Sequence, residues 1–227
     1  MITKKPFPYC IVGHSIHPIL GKGFEHAPGY VSLGEASEHL PQIKSMTQKD
    51  FNAYLEDVHR KQGVTWSLSG DRENRTSLYA QDPNKSIEAR TVHIGLDLNA
   101  PAGTPIHSPF DAEVIKAEYD AGDGNYGWFC VLKHSVGGTT FYTLYGHVAE
   151  KDLAPTGKKL RAGDVFARIG DLHENGNWFH HVHLQVLTER GYEEGWIYKG
   201  LCTKQQLLEI DELCPSPMPL LMVLCDY

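Results

Sequence analysis

The sequence predicts a mainly β fold: an antiparallel β-sandwich-like domain preceded by an N-terminal α/β accessory region. Two observations carry this reading. From Thr91 onward, β-branched and aromatic runs at 92–98, 112–119, 128–134, 139–147, 165–169 and 181–187 follow one another. Glycine-bearing turns separate several of them, including Gly137-Gly138 and Gly163-Asp164. Many strands joined by short turns favour antiparallel pairing.

Before Thr91 the pattern is mixed. Thr47 to Asp50 reads as a helix start; Phe51, Tyr54, Leu55 and Val58 recur at helical spacing, and Gly63 supplies the stop. Val64, Trp66 and Leu68 then alternate with polar residues as a strand would, and 70–86 is a polar loop. Near the end, Thr203 is placed to cap a short helix through Leu213; Pro215, Pro217 and Pro219 break it, and the apolar stretch 220–224 follows. The expected division is 1–90 as accessory region, 91–200 as the β domain and 201–227 as a C-terminal helix and apolar tail. An amphipathic helix of about twelve residues is marginal alone. The accessory region is therefore expected to dock on the β domain, either bracing it or bordering a cleft.

Composition excludes several classes. A chain of 227 residues with 41% hydrophobic and 22% charged residues buries a sizeable core. The net charge of -7 argues against nucleic acid as a partner. No apolar run is long enough to span a membrane. The five cysteines form no CxxC pair, so free buried thiols are expected rather than a disulfide framework. The first residues lack the apolar core of a signal peptide, so a cytoplasmic location is expected if Met1 is the native start.

Some motif-like stretches fail on context. Gly122 to Gly127 fits GxGxxG, but the following Trp128 to Leu132 reads as a strand where a dinucleotide site needs a helix, so a hairpin loop is expected. His173-Glu174 begins like HExxH, but Asn177 occupies the fifth position. Asn74-Arg75-Thr76 is a glycosylation sequon without an export signal, and His14 and His17 read as ordinary surface residues.

Three short pieces carry chemistry. The first is His93-Ile94-Gly95-Leu96-Asp97. Fully extended, its ends would lie about 13 Å apart. For both to hold one ion the segment must bend, and Gly95 is the place to bend. In the second, His181-Val182-His183-Leu184-Gln185-Val186, strand alternation puts His181, His183 and Gln185 on one face and the apolar residues on the other. The third, 141–147, is an aromatic strand ending in Gly146-His147.

In this order the pieces resemble the LytM/lysostaphin-type zinc metallopeptidases, peptidase family M23. The text between them is similar too: 100–109 resembles the family's "APxGTPIxSP" stretch, Asn125-Tyr126-Gly127 its "GYG…H" hairpin, and Arg161 to Asp164 and Ile169-Gly170 also fit. The resemblance covers Thr91 to about Leu187. It implies zinc held by His93, Asp97 and His183, with His147 and His181 as a catalytic pair outside the coordination sphere. Three protein ligands would leave a fourth tetrahedral position for water, the pattern of a catalytic zinc. An imidazole of either remaining histidine would serve as base or oxyanion donor.

The resemblance thus implies a zinc-dependent endopeptidase acting on a peptide or peptidoglycan. Rival expectations are a catalytically silent regulatory or binding module of the same fold and a zinc hydrolase of a non-wall amide. Gln185 departs from the family's usual glutamate, and the loop 171–179, with Trp178 and Phe179, departs from its usual text. The sequence leaves the scissile bond and the oligomeric state open.

Overall fold

A computed structural model describes residues 4–24, 28–79 and 90–222. Its centre is an eight-stranded sheet in the order β1-β2-β4-β11-β8-β7-β6-β9. The strands are β1 (Gly29–Tyr30), β2 (Ser67–Ser69), β4 (Leu96–Asn99), β6 (Ala112–Asp120), β7 (Gly127–Val136), β8 (Thr139–Val148), β9 (Lys159–Leu160) and β11 (Val182–Leu187). Only β1 and β2 pair in parallel; every other neighbour in this sheet is antiparallel. Two ribbons flank it: β5 (Pro105–His107) with β10 (Val165–Arg168), and β3 (Val92–His93) with β12 (Leu201–Cys202). The mainly β, antiparallel architecture expected from the strand pattern is present. No helix among the described residues is long and apolar enough to cross a membrane.

Both faces of the sheet are covered. Val182, Leu184 and Val186 of β11 join Phe141 and Tyr145 of β8 in one core, sealed by Phe7, Ile11, Ile19 and Leu20 from the chain's start. Tyr142 and Leu144 of β8 face a second core with Trp196, Ile197, Ile210 and Leu213 from its end. Such alternation is what period-two strands enforce. Burying each of these aliphatic or aromatic side chains contributes about 1.5–3 kcal/mol. The thiols of Cys10, Cys130, Cys202 and Cys214 are free and buried; Cys225 lies outside the described residues.

The expected helix is α2 (Gln48–Gln62), preceded by the short α1 (Leu40–Ile43). Thr47 caps α2 by accepting from the Asp50 amide, and Gly63 ends it in the left-handed conformation, with φ 68°. Its Phe51, Leu55 and Val58 bury against Val31, Leu33 and Phe179. Of the alternating segment expected as a strand at 64–68, only the end is one: β2 runs Ser67–Ser69 and pairs Ser67 with Asn99 and Ser69 with Asp97. The single helix expected after Thr203 is split into a 3₁₀ turn, Gln206–Leu208, and α4 (Ile210–Leu213), following α3 (Glu189–Glu193). Of the apolar stretch 220–224, the last two residues lie outside the described ones. The Gly122–Gly127 stretch connects β6 to β7 as a hairpin loop.

One buried histidine makes the fold sensitive to pH. His134 stacks on Phe141 and bonds Thr143 Oγ1 at 2.8 Å. Burial lowers its pKa from 6.5 to about 4. The unfolded chain therefore binds this proton first as pH falls. The stability contribution is complete above pH 6.5 and declines as pH drops toward about 4. Urea unfolding at pH 7.5 and pH 5 should show a loss of about 2 kcal/mol from this group. His134→Gln should remove that part of the loss; an unchanged pH difference would assign it to other groups.

Candidate metal centre and catalytic cleft

The site forms where three strands meet. His93 lies on β3 and Asp97 on β4, in different sheets, because the chain turns between them at Gly95. Gly95 has φ 102°, and a Cβ there would lie 2.5 Å from the Leu184 carbonyl oxygen. The bend required by the HxxxD spacing thus falls on the residue that permits it. Gly95 N also donates to Asp71 Oδ1 at 2.9 Å. On β11, His183 stands opposite Asp97 on one side and Gly146 on the other.

Three atoms converge: His93 Nε2 to His183 Nδ1 is 3.0 Å, His93 Nε2 to Asp97 Oδ1 is 3.2 Å, and His183 Nδ1 to Asp97 Oδ1 is 3.3 Å. A tetrahedral ion with bonds of about 2.0–2.1 Å has ligand–ligand edges of about 3.3 Å. The other ring nitrogens fix the tautomers. His93 Nδ1 donates to the Gly70 carbonyl at 2.9 Å. His183 Nε2 donates to Gln185 Oε1 at 3.1 Å, an orientation set because Gln185 Nε2 donates to the Trp196 carbonyl and Cys214 Sγ. In the neutral rings, both lone pairs then point at each other and at a carboxylate oxygen. Three buried acceptors within 3.3 Å form a group that could hold a cation at their centre.

The electrostatics agree. Burial alone would raise Asp97, but His93, Arg75 and His181 outweigh it and hold its carboxyl well below the usual range. Burial, with Arg75 beside it, lowers His93.

His147 and His181 lie beside the triangle with ring centroids 4.4 Å apart. His147 adopts φ 63°, rare for a residue with a side chain. Its preceding residue has to be glycine, since a Cβ at 146 would sit 2.5 Å from Tyr126 Cδ1. His147 Nδ1 donates to the Asn175 carbonyl and His181 Nδ1 to the Phe179 carbonyl, each at 2.8 Å. Both rings thereby keep a basic Nε2; that of His181 lies 3.7 Å from Asp97 Oδ1. Burial lowers His147 well below its ordinary value and His181 to about 4, so both are neutral at pH 7. The five sequence-predicted residues are thus brought together in one place.

Helix α2 positions the approach to His181: Gln48 Oε1 accepts from the Phe179 amide at 2.9 Å and Asn52 Oδ1 from the His180 amide at 2.6 Å. Phe179 stacks on His181 at 4.2 Å, and Trp178 stands edge-on to His147 at 6.1 Å. Together with Tyr126, Tyr79 and Lys199 they line a cleft of about 120 Å³ over the histidines. His180 turns away to Asp171, and His14 and His17 lie outside the cleft. Sequence reasoning missed Arg75, which also lines the cleft and lies 2.8 Å from Asp97 Oδ2. No local signal marked it, because only the pairing of β2 with β4 brings its loop to Asp97.

Residues 91–194, just under half of the chain, match the family model "Peptidase family M23". A curated relative, the peptidoglycan DD-endopeptidase ShyC of Vibrio cholerae, is 35% identical over 79 residues; the match covers 35% of this chain and 17% of that protein. Similar solved structures include a zinc-containing peptidase from Vibrio cholerae, 27% identical with a TM-score of 0.35, covering 42% of this chain and 27% of that one. Another is the catalytic domain of lysostaphin from Staphylococcus simulans, 17% identical with a TM-score of 0.39, covering 52% and 80%.

If the triangle holds a cation, His183→Ala is the decisive variant. Calorimetric titration of metal-free protein with Zn²⁺ should show one tight site per chain, as such a ligand set provides. His183→Ala should weaken it by at least about 100-fold, beyond the loss seen for outer partners of a ligand. Unchanged affinity in the variant would place the ion elsewhere.

Proposed function

We propose that this chain is a zinc-dependent endopeptidase that hydrolyses peptide bonds in peptidoglycan or a related peptide. The observation that carries the reading is the buried convergence of three lone pairs from His93, Asp97 and His183, with two further neutral imidazoles beside them. The match of residues 91–194 to the peptidase family M23 model supports the reaction class, and the activity in the name of the Vibrio cholerae relative supports the substrate class.

Zinc, when bound, lowers the pKa of water toward neutrality and polarises a carbonyl. The chain's own residues do the rest. His93, Asp97 and His183 would hold the ion, and all three line the cleft that substrate would enter. His147 and His181 present basic Nε2 atoms held in register by their Nδ1–H bonds to backbone carbonyls. One imidazole accepts the proton of the attacking water, and one hydrogen-bonds the oxyanion or returns a proton to the leaving amine. Trp178 and Phe179 wall the cleft and keep bulk water from the imidazoles.

The test is hydrolysis of purified peptidoglycan, glycine-rich peptides and a panel of simple amides by the zinc-loaded protein. Peptide-bond cleavage is expected, with none of the simple amides turned over comparably. His147→Ala and His181→Ala should keep zinc and lose about 100-fold or more of the rate. Zinc binding with no cleavage of any peptide would favour a silent binding module.

A further inference from the structure

The charge pair between Arg75 and Asp97 spans the boundary of the matched segment. Asp97 is 1% exposed and Arg75 3% exposed. Oδ1 of Asp97 faces the histidines, while Oδ2 lies 2.8 Å from Arg75 Nη2. Arg75 is itself held from behind: its Nε and Nη2 each lie 3.0 Å from Glu73 Oε2. Glu73 in turn accepts from Ser32 Oγ at 2.7 Å, from the Leu33 amide at 3.2 Å and from Tyr30 Oη at 3.2 Å. The Arg75 amide donates to the Thr91 carbonyl at 2.7 Å, which ties the loop to the strand carrying His93.

We infer that Arg75 is a positioning residue for the metal centre, a clamp from outside the family segment that holds Asp97 as a one-oxygen ligand. The reading rests on His93, Asp97 and His183 being the metal ligands. A free carboxylate beside a divalent ion can bind through one oxygen or two. With Oδ2 in an ion pair with the guanidinium 2.8 Å away, Oδ1 is the oxygen left to face the ion. A planar fork can contact Asp97 and Glu73 at once, whereas a lysine ammonium is a single point charge on a flexible stem. Residues 30–33, 73 and 75 thus belong to the working site although they precede the matched segment.

The experiment compares metal-free full-length wild type, Arg75→Met and Arg75→Lys by chelator competition with Zn²⁺ and by the visible absorption of the Co²⁺-loaded proteins, with folding checked by circular dichroism. Arg75→Met should bind Zn²⁺ roughly 10–100-fold more weakly, the usual cost of losing an outer partner of a ligand. Its Co²⁺ bands should weaken from four-coordinate toward five-coordinate intensity as Asp97 gains a second contact. Arg75→Lys should lie between, with weaker binding than wild type. A folded Arg75→Met protein with wild-type affinity and spectrum overturns the inference. Should that variant not fold, Arg75→Lys decides, and wild-type affinity and spectrum there overturn it equally. A wild type that binds no metal refutes the ligand assignment itself, a result distinct from both.

Discussion

Three buried acceptors pointed at one another are the constraint around which this structure is organised. His93 Nε2, His183 Nδ1 and Asp97 Oδ1 lie within 3.3 Å of each other, each stripped of water. Desolvated lone pairs in that arrangement repel unless a cation joins them. The surrounding features make sense as means of holding them there. Gly95 turns the chain so that one short segment supplies two of the atoms. The Gly70 carbonyl and the Gln185 amide hold the opposite ring nitrogens as donors. Glutamine suits that last position because one amide accepts from His183 and donates to Trp196 and Cys214.

The same constraint explains why the chain before residue 91 is woven into the β structure. Strand β2 pairs directly with β4, so Ser69 stands opposite Asp97. The loop after β2 then delivers Gly70 to His93, Asp71 to Gly95 and Arg75 to Asp97. Helix α2 meanwhile fixes the backbone at Phe179 and His180, just before His181. The region before the matched segment thus contacts both the candidate metal-ligand set and the imidazole pair.

Much of this was legible in the sequence where a local rule applied. The strands, the α2 stripe of Phe51, Leu55 and Val58, the hairpin at Gly122–Gly127 and the bend at Gly95 follow from periodicity or backbone freedom. HxH on an alternating strand places His183 with Gln185 on one face, and their ring-to-amide bond is its outcome. The helix after Thr203 was only partly legible: its cap forms, with Gln206 N donating to Thr203 Oγ1 at 3.1 Å, but the backbone breaks between the 3₁₀ turn and α4.

What the sequence determined by itself was the mainly β class, the identity of the five clustered residues and the point at which the chain had to turn. What only the tertiary structure decided was which nitrogens of His93 and His183 face each other beside Asp97, that Gln185 is the partner of the opposite nitrogen of His183, and that Arg75 stands behind Asp97. The reason is range. A period or a positive φ is encoded within a few residues. The contact between positions 75 and 97 exists only because β2 pairs with β4. Within its own neighbourhood Arg75 is just the middle of Asn74-Arg75-Thr76.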